Sequence, residues 1–189
     1  MDKKLGLVAI PNSLRQLPLN QTTPPNGPPG TASQIVFNHD ESQLIVSVKG
    51  MPPASAGFLA IWDVAPDGSL STTFKPFVPP SGGGLPFSLT PIPGTSAFVS
   101  TDPASGFAVL DLSPQNLSSE IPIGGQGATC WSSFSTKTGN FYLTDVATAT
   151  VTEVHVDTKS LKPSIVRQYP QTPNSGTIDN DIATVRGNE

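Results

Sequence analysis

Short stretches of alternating apolar and polar residues run along this chain, and clusters of Gly, Pro, Asn, Asp and Ser separate them. Alternation with a period of two is typical of β-strands, because successive side chains of a strand point to opposite faces of a sheet. The stretches predict three sets of four strands: 34–37, 44–48, 58–64 and 72–77; 87–90, 98–101, 107–112 and 119–123; and 131–134, 141–144, 150–156 and 164–169.

The three sets form an internal repeat. The loop after the third strand of each set contains a leucine, at Leu70, Leu117 and Leu161. Successive leucines lie roughly 45 residues apart, which is the length of one blade in a propeller. The repeat predicts an all-β fold, a β-propeller with about three complete four-stranded blades, because one small sheet buries its faces only against neighbours. The residues expected to pack between blades are Phe37, Val46, Ile61, Leu89, Val99, Leu110, Phe134, Tyr142 and Val154.

Partial blades are predicted at both ends. Residues 1–189 are expected to form a single partial propeller, divided into an outer strand of a preceding blade at 1–17, blades at 33–78, 86–123 and 129–170, and the start of a next blade at 177–189. Within these ends, 8–17 is the predicted outer strand and 178–185 the predicted inner strand. Such open strand edges would be covered by missing blades or by self-association.

The composition of the chain excludes two classes of binding partner from the prediction. Charged residues make up 13% of the chain, the formal net charge is −4, and Lys and Arg form no cluster. Nucleic acids and anionic membranes are bound by clustered basic residues, so neither is a predicted partner. Cys130 is the single cysteine, which excludes a disulfide within the chain, and we expect its thiol to be buried and inert. No apolar run has the length of a signal peptide or a membrane span.

Candidate ligand-binding residues lie on the propeller face that carries the long loops. Asp102 and Asp145 follow the second strands of successive sets, and Lys49 is expected at the same place in the first. Such side chains either converge around a central channel to bind a polar ligand, or, for Asp, cap a turn by accepting bonds from backbone amides. Asp179 and Asp181 lie near the same face and point in one direction. The residues predict no metal and no cofactor.

Several stretches resemble a known family. They are LNQTTPP at 19–25, FLAIWDV at 58–64, TCWSS at 129–133, KTGNFYLTD at 137–145 and IDNDIA at 178–183, which together span nearly the whole chain. They resemble fungal 3-carboxymuconate cyclase-like proteins, relatives of the seven-bladed lactonase propellers. The resemblance implies that this chain corresponds to the middle blades of a seven-bladed propeller that is secreted or at the cell surface. It also implies a cofactor-free, lactone-forming isomerase or another lactone-handling activity.

An alternative function follows from the scarcity of basic residues. A tricarboxylate substrate requires cations to hold it and an acid or base to move a proton, yet Lys49 alone among the basic residues is expected on the long-loop face. No catalytic residue can be transferred from the cyclases. The alternative is a noncatalytic secreted or cell-surface propeller that binds a glycan, a small ligand or a protein. Asn20 and Asn116 begin Asn-X-Ser/Thr tripeptides and are candidate glycosylation sites.

Overall fold

Twelve short strands form the described part of the chain, which in this computed structural model comprises residues 4, 6, 8, 12–19, 21–80 and 84–185. Blade 1 contains β1 (Ala32–Phe37), β2 (Gln43–Val48), β3 (Phe58–Asp63) and β4 (Lys75–Phe77). Blade 2 contains β5 (Leu89–Pro91), β6 (Ala97–Asp102), β7 (Gly106–Asp111) and β8 (Ser119–Pro122). Blade 3 contains β9 (Thr129–Ser135), β10 (Asn140–Asp145), β11 (Thr150–Val156) and β12 (Pro163–Pro170). Each blade is an antiparallel meander, which confirms the predicted all-β fold.

β4 and β5 are the shortest strands of the described residues. The stretches 72–77 and 87–90 correspond to β4 and β5, which have three residues each. Both strands contain a proline, Pro76 and Pro91, and proline has no amide hydrogen to donate to a ladder. The missing donors account for the short ladders of these two strands.

A tight turn fixes the pairing of β6 with β7. Gly106 opens β7 with a φ of 136°, and a Cβ added there would lie 2.6 Å from the carbonyl oxygen of Ile121. Only glycine adopts this conformation without strain and lets β8 approach so closely. The register that follows pairs Val99 with Val109 at the centre of the blade.

Apolar side chains fill the spaces between blades. Those between blades 1 and 2 are Ile45, Leu59, Ile61, Leu89, Phe98, Ala108 and Leu110. Those between blades 2 and 3 include Ile92, Val99, Phe107, Val109, Phe141, Leu143, Val154 and Val156. Burial of a large apolar side chain contributes roughly 1.5–3 kcal/mol relative to exposure, so these two layers are the main source of apolar stabilisation. The predicted inter-blade positions Ile61, Leu89, Val99, Leu110 and Val154 are confirmed.

Three other predicted inter-blade residues lie elsewhere. Phe37 is 50% exposed, because alternation along β1 turns it away from the inter-blade space. Val46 is buried on the opposite face of blade 1, beside Trp62. Tyr142 lies on the outer face of blade 3, since its neighbour Phe141 faces blade 2. Phe134 is partly buried against the layer between blades 2 and 3.

The outer face of blade 3 is polar. Tyr142 pairs across strands with Glu153, at the place where blade 1 has Ile45 opposite Ile61 and blade 2 has a valine pair. The apolar pairs pack against the next blade, whereas the pair in blade 3 forms hydrogen bonds. The chemistry of the inter-blade faces therefore changes after blade 3.

Glu153 is the centre of a hydrogen-bonded network on that face. Its carboxylate accepts bonds from Asn140 Nδ2 at 2.6 Å, the Tyr142 hydroxyl at 3.1 Å and the Tyr169 hydroxyl at 2.6 Å. His155 Nδ1 lies 2.9 Å from Asn140 Oδ1 and continues the network to the exposed edge. The bond from Tyr169, followed by that from Asn140, lowers the pKa of the Glu153 carboxyl. The network holds Glu153 in its charged form.

The N-terminal described segment differs from its prediction. Residues 12–17 form no strand, so this part of the predicted outer strand 8–17 is wrong; residues 9–11 lie outside the described residues. Leu17 and Leu19 nevertheless cover the outer apolar face of blade 1. The Arg15 guanidinium anchors the segment by donating to the carbonyl oxygens of Leu70 and Ser71 at 2.7 and 2.8 Å.

The C-terminal segment also lacks the predicted strand. Residues 178–184 form no ladder, because no second strand lies beside them among the described residues. The segment instead follows blade 3. The Thr144 hydroxyl donates to the carbonyl oxygen of Ile178 at 3.1 Å, and Asn180 Nδ2 donates to the carbonyl oxygen of Tyr142 at 2.9 Å.

Candidate functional site

The first strands of the three blades border an open groove, here called the axial groove. It has a volume of about 680 Å³. Its lining residues come from β1, β5, β9 and the C-terminal segment: Gln34, Val36, Leu89, Thr90, Pro91, Trp131, Ser132, Ser133, Phe134, Asp179, Asn180 and Asp181. The groove thus brings together residues from the first strands of all three blades.

Hydrogen bonds between blades hold the lining strands side by side. Gln34 Oε1 accepts a bond from the Leu89 amide at 2.5 Å, which links blade 1 to blade 2. The Thr90 hydroxyl donates to the carbonyl oxygen of Ser132 at 2.9 Å, and the Ser88 and Ser132 hydroxyls lie 2.6 Å apart. These polar groups are largely satisfied within the protein, so they shape the groove rather than offering free hydrogen-bonding groups.

The charge of the groove is negative. Asp179 and Asp181 are the charged residues of its described lining, which contains no Lys, Arg or His. One oxygen of each carboxylate accepts a backbone bond, from the Asn180 amide at 2.7 Å and from the Ile182 amide at 2.8 Å. Both side chains are exposed, so their remaining oxygens face solvent as hydrogen-bond acceptors.

Trp131 supplies an aromatic surface to the same groove. Its ring meets the ring of Phe87 edge to face, with centroids 6.1 Å apart and planes at 84°. This arrangement is favourable for aromatic pairs and fixes the orientation of the indole. The ring is half-buried, so part of it is available to a ligand.

Lys49 lies behind this aromatic pair and does not line the axial groove. Its ammonium nitrogen contacts Ser33 Oγ at 2.5 Å and lies 4.7 Å from the centre of the Phe87 ring. Burial lowers the pKa of Lys49, since the uncharged amine is favoured away from water. Lys49 lines a separate cavity of about 700 Å³ between the loops near residues 18–30 and 48–58.

The predicted equivalence of Lys49 with Asp102 and Asp145 is wrong by one residue. β6 and β10 end at the two aspartates, whereas β2 ends at Val48. Lys49 therefore begins the following loop, where its side chain has a different direction. Lys49 thus does not occupy the strand position of the two aspartates.

Asp102 and Asp145 cap turns. Asp102 accepts bonds from the amides of Leu85 and Ala104, both at 2.8 Å. Of the two interpretations of these aspartates, the structure supports the turn, because a carboxylate occupied by backbone amides has little capacity left for a ligand.

Asp145 is the more strongly held of the two. Its two oxygens accept bonds from four backbone amides at 2.7–3.1 Å, those of Gly127, Ala128, Ala147 and Thr148. Burial alone would raise the pKa of this carboxyl, but the four amides together bring the pKa below its ordinary value. Asp145 is thus a buried, charged residue that holds the two residues before β9, Gly127 and Ala128, in place.

Cys130 is buried, as expected. Its thiol lies 3.4 Å from the carbonyl oxygen of Ala128, and burial raises the pKa of the thiol. A raised pKa reduces the thiolate fraction, which is the nucleophilic form. The thiol therefore has no place in a catalytic interpretation of the groove.

Of the five candidate ligand-binding residues, the structure brings Asp179 and Asp181 together in the axial groove. Gln34, Thr90 and Trp131 also line it and were not predicted. The sequence places these three residues in first strands. It does not show which of their side chains line the groove, because that depends on how the neighbouring blade packs.

The remaining candidates concern modification and metals. Asn116 is exposed in the turn before β8, and its Oδ1 accepts a bond from the Ser118 hydroxyl at 2.7 Å. Asn20 lies outside the described residues. Within the described residues, no three His, Cys, Asp or Glu side chains are placed to hold a metal ion. The same residues contain no helix long and apolar enough to cross a membrane.

Three four-stranded blades bordering a common groove define this chain as part of a β-propeller. It is similar to a periplasmic gluconolactonase of Pseudomonas aeruginosa, with 17% identity and a TM-score of 0.57, over 74% of this chain and 42% of the gluconolactonase. It is also similar to a functionally unknown protein of Desulfotomaculum acetoxidans, with 14% identity and a TM-score of 0.52, over 79% of this chain and 61% of the other. No family model and no curated protein sequence matches.

These comparisons show the fold. At such identities the likeness to a gluconolactonase establishes a β-propeller fold and not an activity. Neither structure is a fungal 3-carboxymuconate cyclase, so that narrower resemblance is not shown. The chain spans less than two thirds of the length of either protein.

Proposed function

We propose that the axial groove binds a neutral, polyhydroxylated ring compound, such as a sugar lactone, as part of a lactonase-type propeller. One observation carries the proposal: Trp131 and the carboxylates of Asp179 and Asp181 line the same groove. Sugar hydroxyls donate hydrogen bonds to carboxylates, and the apolar face of a sugar ring packs on an aromatic ring. A groove that combines an aromatic surface with a few placed acceptors suits such a ligand.

The charge of the groove favours a neutral ligand over a carboxymuconate. A like-charge contact at 4 Å costs from about 1 kcal/mol in water to about 4 kcal/mol near a protein surface. A tricarboxylate would meet Asp179 and Asp181 with no cation in the described lining to offset that repulsion. A sugar lactone carries no charge, and gluconolactone, the compound in the name of the similar structure, belongs to this class.

The chemical requirements of lactone opening are met only in part. A base must activate water, and a donor must stabilise the oxyanion that forms on the carbonyl. Asp179 and Asp181 are suitable bases by type and exposure. The hydroxyls of Thr90 and Ser132 bond to each other's strand and are not free donors. The described lining offers one hydroxyl without a hydrogen-bond partner, that of Ser133, and no cationic donor, so it supports binding more fully than turnover.

This imbalance favours a second candidate, a noncatalytic propeller that binds a sugar or glycan in the same groove. The observation behind it is the absence of a cationic residue from the described lining. A secreted or cell-surface location, with a glycan on Asn116, suits both candidates and stays a prediction.

Ligand titration tests the proposal. Trp131 fluorescence should respond in a saturable manner to gluconolactone and to glucose, a stable neutral control, but not to gluconate or 3-carboxymuconate at the same concentration. Replacing both aspartates, Asp179→Asn with Asp181→Asn, should weaken binding about tenfold or more, since a hydrogen bond to a charged group contributes about 1.5–3 kcal/mol. Glu120→Gln, on the rim strand β8, is the matched control and should bind normally.

The outcomes separate the hypotheses. Accelerated opening of gluconolactone, measured as acid release, supports the lactonase; saturable binding without acceleration supports the noncatalytic propeller. Binding of 3-carboxymuconate in preference to the neutral compounds would overturn the proposal and restore the cyclase hypothesis.

A further inference from the structure

Three buried hydroxyls occupy the same place in successive blades. Ser47, Thr101 and Thr144 are each the penultimate residue of the second strand of a blade. Each is completely buried, with 0% of its surface exposed. Polar side chains at fully buried positions are retained at a cost unless they form hydrogen bonds, so their partners indicate what they do.

Each hydroxyl accepts a bond from an amide of its own blade, in the first strand or, in blade 2, directly before it. The amide of Gln34 donates to Ser47 Oγ at 3.1 Å. The amides of Ser88 and Trp131 donate at the same distance to the hydroxyls of Thr101 and Thr144. The acceptor side of the contact is therefore identical in all three blades.

Each hydroxyl also donates to a backbone carbonyl in the next inner segment. Ser47 donates to Phe87 at 2.9 Å, and Thr101 donates to Cys130. Thr144 donates to Ile178 at 3.1 Å, although this segment forms no strand. Each hydroxyl thus connects the first strand of one blade to the inner segment of the next. Only a group that donates and accepts at once can make this connection, which a hydroxyl does.

The connection made by Thr144 differs from the other two, because it ends in a segment that forms no strand. Phe87 and Cys130 lead into strands that have their own ladder bonds, whereas Ile178 leads into a segment with no ladder. The residue after Ile178 is Asp179, the first of the two groove carboxylates. The Thr144 hydroxyl therefore lies at the point where the acidic wall of the groove joins the blade.

We propose that Thr144 is a positioning residue that places Asp179 and Asp181 in the axial groove by holding Ile178 in the position of a first strand. Its effect on ligand affinity rests on the proposed function of the groove. Its effect on the position of residues 178–182 is independent of any ligand.

Removal of one hydroxyl tests the proposal. Thr144→Val keeps the shape of the side chain and loses both hydrogen bonds, whereas Thr144→Ser keeps the hydroxyl, as Ser47 does in blade 1. Thr101→Val is the matched control, because it removes the same pair of bonds where the next strand has its own ladder. Two readouts apply: gluconolactone affinity from Trp131 fluorescence, and backbone mobility of residues 178–182 from ¹⁵N relaxation.

Thr144→Val should weaken gluconolactone binding about tenfold or more and raise the mobility of residues 178–182. Thr144→Ser should restore both, and Thr101→Val should leave both near the wild-type values even where it lowers stability. Unchanged mobility in Thr144→Val, or a Thr144→Ser variant as defective as Thr144→Val, would overturn the proposal.

Two further results keep the outcome decisive. If the wild-type protein binds none of the neutral ligands, the proposed function fails, and the relaxation data alone decide the role of Thr144. If Thr144→Val does not fold, the wild-type protein provides the test: a slowly exchanging Thr144 hydroxyl proton in contact with residue 178 supports the connection, and a rapidly exchanging one refutes it.

Discussion

Replacement of Asp145 by asparagine is the sharpest test of whether this carboxylate is structural. The side chain is 3% exposed and accepts bonds from four backbone amides. Asparagine keeps one oxygen but places an NH₂ group against amides that are themselves donors. Hydrogen bonds to a charged acceptor contribute about 1.5–3 kcal/mol each, and we expect the equivalent of one to two of them to be lost.

The expected loss is about 3 kcal/mol in the free energy of unfolding. For a chain of this size that corresponds to a fall in Tm of about 6–12 °C. Urea unfolding followed by circular dichroism measures the free energy directly. Asp157→Asn is the control, because Asp157 caps a turn through the amides of Lys159 and Ser160 in an exposed setting where water replaces the lost bonds. A loss in Asp145→Asn no larger than that in Asp157→Asn would refute the structural role.

The same replacement predicts a pH dependence. The pKa of the Asp145 carboxyl is lowered in the folded protein, so its charged form stabilises the fold above the ordinary Asp pKa of about 3.9. This contribution is lost as the pH falls through the lowered pKa. Stability of the wild-type protein should therefore decrease more steeply than that of Asp145→Asn as the pH falls below about 4. Parallel curves would contradict the assignment.

Three further replacements probe other parts of the fold. Leu110→Ala opens a cavity between blades 1 and 2 and should cost about 2–5 kcal/mol by urea unfolding, whereas Leu117→Ala, at a position 44% exposed, should have little effect. Gly106→Ala forces a side chain against backbone atoms and should lower the Tm in thermal unfolding, and an unchanged Tm would contradict the close approach of β8. The Glu153 carboxylate raises the pKa of Tyr169 through a hydrogen bond, so Glu153→Gln should lower that pKa in an ultraviolet titration, and an unchanged titration would contradict the network.

Much of the fold could be predicted from the sequence because its strands are local hairpins with clear alternation. The strands β2, β6 and β10 begin and end within one residue of their predicted bounds. The direction of single side chains was harder to predict, since a shift of one residue reverses the face. Val46, placed between blades in prediction, lies on the other side of blade 1 for this reason.

The candidate site was less predictable for two physical reasons. An aspartate after a strand has the same sequence signal whether it caps a turn or binds a ligand, and only the positions of the amides around Asp102 and Asp145 distinguish the two. Lys49 was placed one position too early, because the predicted second strands of blades 2 and 3 end at 101 and 144, one residue before the observed strands do. The buried hydroxyls of Ser47, Thr101 and Thr144 are spaced like the strands, but the carbonyls to which they donate lie in the next blade or, for Thr144, in the C-terminal segment.

The arrangement of the blades separates packing from recognition. Inter-blade packing is concentrated in second and third strands, as at Ile45, Ile61 and Val109, whereas the groove is lined by first strands through residues such as Thr90 and Trp131. Exchange of Trp131, Asp179 or Asp181 therefore changes the groove without opening a cavity in the core, whereas Leu89 belongs to both parts. The buried hydroxyls connect the two parts, because each lies in a second strand and holds an inner segment. Loss of the Thr144 hydroxyl should thus alter recognition through the position of the acidic segment, and loss of a groove carboxylate should alter it through chemistry.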